Sequence, residues 1–190
     1  MHRLILLLAL ICMSVPTSGS QTKPSGPMTN DTAPTWGTED LLSETFDSLR
    51  DLDRLAVDGV EAKDMPAVLA RLRQMPNLTT LEFVACDLSG VDENSPVPAN
   101  VKNLGITDQG KVSQGTIRWL ATFPKGTQLV FNTGVPNLSF DDLGSFTWIT
   151  FDNCEISQTA LKLVGDPKIG KVTFIEVTLT EARPERGAGT

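Results

Sequence analysis

The chain has no tyrosine and a single histidine, His2. Because His2 sits in a segment that reads as a removable leader, the mature chain has no imidazole. A Ser-His-Asp triad, a Cys-His pair and a histidine metal site are therefore excluded. Positive charge is also in short supply. The net charge is −7, and losing Arg3 with the leader makes it −8. With no basic stripe in the sequence, nucleic acid and anionic membrane are poor partners. The one apolar run, Leu4 to Met13, is too short for a bilayer, which needs roughly 20 apolar residues.

That run follows Arg3 and precedes the small residues Thr17, Ser18, Gly19 and Ser20, which is the anatomy of a signal peptide. Residues 1–20 are read as that peptide, so the protein is expected to be secreted or held in the periplasm or cell envelope, with no membrane insertion after cleavage. Cys12 raises a lipid-anchored form, but Ile11 stands where such a site wants a small residue. Residues 21–37, "QTKPSGPMTNDTAPTWG", hold too few apolar side chains to repay ordering and are expected to be a disordered leader, with Trp36 tucked against the domain edge. Residues 38–50 read as a capping helix, with Thr38 as N-cap and Leu42, Phe46 and Leu49 as its stripe. The tail, residues 181–190, is polar and is expected to be disordered.

Between these ends one spacing recurs. Phe146, Ile149, Phe151, Cys154 and Ile156 lie three, two, three and two residues apart, as do Leu78, Leu81, Phe83, Cys86 and Leu88, and Ile169, Val172, Phe174, Val177 and Leu179. Leu52, Leu55, Val57 and Val60 match four of the positions, and Val101, Leu104 and Ile106 match three, with Gln109 at the fourth. In the weakest copy Leu129 and Phe131 stand between Gly126 and Gly134. The central residues Leu55, Leu81, Leu104, Leu129, Ile149 and Val172 are separated by 26, 23, 25, 20 and 23.

These intervals and the pattern L-x-x-L-x-L-x-x-N/C-x-L fall in the window of leucine-rich repeats. Residues 51–180 thus resemble a leucine-rich-repeat domain, closest to the Cys-containing, ribonuclease-inhibitor-like subgroup. The resemblance implies an α/β solenoid of about six units, with parallel strands on the concave side and short helices and irregular loops on the convex side. The residues themselves agree. "LEF" and "ITF" alternate as strands do, while "DMPAVLARLRQM" places Met65, Val68, Leu69 and Leu72 on one helical side. "TIRWLATF" and the Ser157-capped "SQTALKLV" read as shorter helices.

Other motifs lose to plainer readings. "GDPKIGKV" fits a phosphate loop by spacing, but Val172 replaces the magnesium-binding hydroxyl and Lys171 enters a strand, so it reads as a turn. Asp51 and Asp53 have calcium-loop spacing, yet Leu55 occupies the third ligand position. Asp92, Glu93 and Asn94 read as a solvated loop, and Asp141-Asp142 as a polar turn. Cys86 and Cys154 occupy the same repeat position three units apart. At about 4.8 Å per strand this separates them by roughly 14 Å, beyond disulfide reach, so two buried free thiols are expected.

The solvent side of the strands is the expected binding face, with Glu82, Val130, Trp148, Asp152 and Lys171 as the partner-binding residues. Trp148 is its foremost anchor. The chain reads as a non-catalytic recognition scaffold for a protein or other macromolecule, not an enzyme, and with no cofactor or metal. The alternative is a structural or assembly component of the envelope without a dedicated ligand site.

Overall fold

The structure is a computed structural model that describes residues 33–180 except Lys125, Pro136, Asp141 and Asp142. The expected signal peptide, Cys12, most of the leader, the Asp141-Asp142 turn and the tail lie outside the described residues. The fold is α/β. Seven strands form one parallel sheet in chain order: β1 (Thr35–Trp36), β2 (Arg54–Asp58), β3 (Thr80–Val84), β4 (Asn103–Thr107), β5 (Gly126–Phe131), β6 (Phe146–Asp152) and β8 (Lys171–Ile175). β7 (Glu155–Ser157) and β9 (Thr178–Thr180) make a second, two-stranded parallel ladder. Parallel neighbours need a return connection of a dozen residues or more, which the intervals of 20 to 26 supply.

The register follows the repeat. Leu55 pairs with Leu81, Leu81 with Leu104, Leu104 with Leu129, Leu129 with Ile149 and Ile149 with Val172. Two residues on, Val57, Phe83, Ile106, Phe131, Phe151 and Phe174 align in the same way. Period two sends both rows to one face, where the first five of each are buried. The last three of the second row form an aromatic column. Phe131 stacks on Phe151 at 5.4 Å, and Phe151 on Phe174 at 5.6 Å.

The return segments close this core. In α3 (Met65–Leu72), Met65, Val68, Leu69 and Leu72 are buried, with Pro66 in the first turn where its missing N–H costs nothing. α4 (Gln114–Ala121) is capped by Ser113, whose hydroxyl accepts the Thr116 N–H, and it buries Ile117, Trp119 and Leu120. The Trp119 indole N–H donates to the Pro96 carbonyl at 3.2 Å, which holds the loop after β3 against the helix. Gln158–Gly165, capped by Ser157, winds as a 3₁₀ helix and buries Ala160 and Leu163. No helix among the described residues is long and apolar enough to cross a membrane.

The N-terminal end differs from the sequence expectation. Order begins before Gly37, since Thr35 and Trp36 pair with Ala56 and Val57 as β1, and Trp36 packs on the core. The cap is two short helices, α1 (Thr38–Ser43) and α2 (Phe46–Arg50), with extended backbone at Glu44 and Thr45 between them. Gly37, not Thr38, is the N-cap residue. The break rotates the stripe, so Leu41 and Leu49 are buried while Leu42 is 44% exposed. The Phe46 side chain lies outside the described set.

Five strands, β2, β3, β4, β6 and β8, end in a sharp corner. Gly59, Ala85, Asp108, Asn153 and Glu176, each directly after its strand, have φ between 46° and 65°. Only the first is glycine, the residue that enters this region without strain. Past the corner, the Cys86 thiol donates to the Val57 carbonyl of the preceding unit at 3.2 Å. In the fourth copy Thr133, 5% exposed, does the same work by donating to the Gly110 carbonyl at 2.7 Å, and Gly134 is exposed. The position aligned with Cys86 by counting is thus taken one residue earlier in that copy.

Candidate functional site

The sheet face opposite the core presents three transverse rows. Thr80, Asn103, Gln128, Trp148 and Lys171 follow Arg54 in the first; Glu82, Gly105, Val130, Thr150 and Thr173 follow Ala56 in the second. Asp58, Val84 and Thr107 begin the third, and Asp152 and Ile175 close it. The helices contribute to the buried cluster on the other side.

Four of the five expected site residues lie on β5, β6 and β8: Val130, Trp148, Asp152 and Lys171. The Lys171 ammonium sits 4.2 Å from the centre of the Trp148 ring. At this distance it is held by the ring's negative face. The indole N–H donates to the Thr173 hydroxyl at 3.2 Å. Trp148 is therefore half-buried and fixed in orientation, not the freely exposed side chain expected from the sequence. Ile175, 45% exposed, pairs in register with Asp152 at the end of this group.

Glu82 stands apart on β3. It accepts a hydrogen bond from the Thr107 hydroxyl at 3.0 Å and lies across Gly105, where a Cβ would meet its Cγ at 3.2 Å. Glycine at 105 makes room for the carboxylate arm. The structure does not bring Glu82 into the Trp148 group. Two members of the group were not singled out from the sequence. Thr173 anchors the indole, and Thr150, 7% exposed, keeps a hydroxyl with no hydrogen-bond partner. Period two alone assigns both to this face, but only register shows them beside Trp148.

Past the strand ends, a cleft of about 880 Å³ is lined by Asp108, Gln109, Lys111, Asn132 and Asn153 among others. Beside it Lys111 pairs with Asp87 at 2.8 Å. This ammonium and the Ser89 hydroxyl hold the Asp87 carboxyl down at about 2. The acidic loop is internally bonded, with the Asp92 carboxylate accepting the Asn94 N–H and Glu93 pairing with Arg118 at 3.1 Å. Among the described residues no three His, Cys, Asp or Glu side chains gather as a metal site. The "GDPKIGKV" stretch is a turn between the 3₁₀ helix and β8, with the Asp166 carboxylate accepting the Lys168 N–H.

Cys86 and Cys154 are free and buried, and lie in β3 and β6 units three strand steps apart. Burial pushes both thiols up to about 11, so they stay protonated and unreactive at neutral pH. Comparison with protein families, with curated proteins and with solved structures finds no match to this chain.

Proposed function

We propose that this chain is an exported, non-catalytic recognition protein of the leucine-rich-repeat kind, which binds a protein or other macromolecule on a concave strand face. It uses no cofactor. The reading rests above all on one observation: the sheet face opposite the helices carries Trp148 held by Lys171 and Thr173, with Val130 diagonal to it on β5 and Ile175 further along β8 on the same face. A rigid indole with apolar neighbours and a polar surround is the composition of a binding hot spot, where truncation costs about 2 kcal/mol or more. That corresponds to about a 30-fold loss of affinity.

The test is capture from the native exported fraction on immobilised protein. A partner retained by the wild type, lost with Trp148→Ala and kept with Arg73→Ala on the opposite side supports the reading. Absence of any Trp148-dependent partner refutes it. A second reading, an assembly component of the envelope, is favoured by the open edge of β8.

A further inference from the structure

The two ends of the sheet are finished differently. At the first, β1 is two residues long and follows Pro34, a blunt edge of the kind that resists pairing. Trp36, Leu41 and Leu49 pack on the core there, and Leu55 and Val57 are 1% and 0% exposed. At the other end no strand among the described residues pairs with the outer edge of β8. The equivalent side chains Val172 and Phe174 are only half-buried, as is Val177, and Leu179 is 41% exposed. Residues 181–190 contain no Val, Leu, Ile, Met, Phe or Trp.

The hydrogen-bonding direction of this edge follows from the repeat. The Ile175 carbonyl accepts the Asn153 N–H and so points back toward β6. In β4 the residue equivalent to Phe174 is Ile106, whose carbonyl accepts the Asn132 N–H of the next unit. N–H and C=O of one residue point the same way in a strand, and the direction alternates along it. Val172 and Phe174 therefore aim both groups at the open edge.

We propose that β8 pairs antiparallel with β8 of a second copy of this chain, about a two-fold axis through Thr173. In this register Val172 faces Phe174 of the second copy, and Phe174 faces its Val172. Residues directly opposite in such a pair exchange both bonds, so the four open groups of each chain are all satisfied. The sequence is self-complementary about the axis. One residue to either side stand Val172 and Phe174, and four residues to either side stand Ile169 and Val177. The apolar rows of the two cores thus meet. No like charges meet in the strands, since Lys171 falls opposite the uncharged Ile175 of the second copy. A two-fold contact closes on itself, so the product is a dimer and not a filament.

The proposal is independent of what the Trp148 face binds, and its tests use no partner. Sedimentation equilibrium should give twice the chain mass, with dissociation on dilution. Thr173→Cys places two thiols on the axis in a non-hydrogen-bonded pair, where Cα atoms lie about 4.5 Å apart and a disulfide can close. Mild oxidation should then yield a covalent dimer, whereas Arg54→Cys, at the far side of the sheet, should not. Val172→Lys, with its fold checked by thermal melting, should shift the wild-type equilibrium to monomer. A monomer at every concentration, a ladder of higher oligomers, or a dimer that Thr173→Cys fails to cross-link would each overturn the proposal.

Discussion

Gly126→Ala should destabilise the protein through one aromatic ring. Gly126 opens β5 and pairs in register with Phe146 at the start of β6. A Cβ built at Gly126 overlaps Cδ1 and Cε1 of that ring, which is fully buried. The ring has little room to yield. Phe123 lies 5.7 Å from it, and Trp119 backs Phe123 at 4.9 Å. Overpacking a core in this way costs about 1–3 kcal/mol. Against it, replacing glycine where the backbone tolerates a side chain gains about 0.4–1 kcal/mol from the unfolded state. With a full overlap against a ring that cannot yield, the steric cost wins, leaving a net loss of about 1.3 kcal/mol at mid-range and at most about 2.6 kcal/mol. Urea melts read this as a lower midpoint at unchanged slope. Phe146→Leu in the same chain should recover part of the loss, giving a coupling of about 0.5–3 kcal/mol in a double-mutant cycle. A Gly126→Ala protein as stable as the wild type, or one with no coupling to Phe146, would refute the packing of these two units.

Other outcomes follow from the same geometry. Leu81→Ala, at a fully buried site, should cost about 2–5 kcal/mol. Its neighbour Glu82→Ala loses only the Thr107 hydrogen bond, about 1 kcal/mol; denaturant melts in the reverse order would contradict the register. Asp87, held at about 2 by Lys111 and Ser89, is depressed in the folded state. Its contribution is fully present above the ordinary carboxyl pKa near 3.9 and is lost as pH falls through about 2. Carbon-detected NMR should place its midpoint there, and Lys111→Met should raise it; an unmoved midpoint would show that the ion pair does not form.

What could be read from the sequence was the alternation. The six central residues, Leu55 to Val172, mark the inward row because a parallel ladder leaves a side chain no choice of face once the register is set. The helical side of α3 was equally legible, since Met65, Val68, Leu69 and Leu72 recur at helical spacing. Corners were not. Thr133 does the work of Cys86 after one residue fewer, and Gly126 looks like a weak copy until Phe146 of the next unit is seen to occupy its space. The cap was misread at Leu42 because one continuous helix was assumed, whereas extended Glu44 and Thr45 divide it. On the sheet face opposite the core, periodicity assigned Trp148, Lys171 and Val130 correctly to one surface. It gave no information about Lys171 stacking over the indole or about the distance of Glu82 from that group, because both depend on which strands are neighbours.

The claim on which everything else depends is that the strands stand in single file and display one face. Spin labels introduced by Arg54→Cys and Lys171→Cys in a chain carrying Cys12→Ser test it most directly, because Cys86 and Cys154 are buried and will not label. The two sites lie in one row, five strand steps apart, which at about 4.8 Å per step separates their backbones by roughly 24 Å. Pulsed dipolar spectroscopy on protein diluted with unlabelled chains should give one distribution centred near that value, broadened by the label arms. A centre below roughly 15 Å, as a closed barrel or reordered sheet would produce, would contradict the single-file stack.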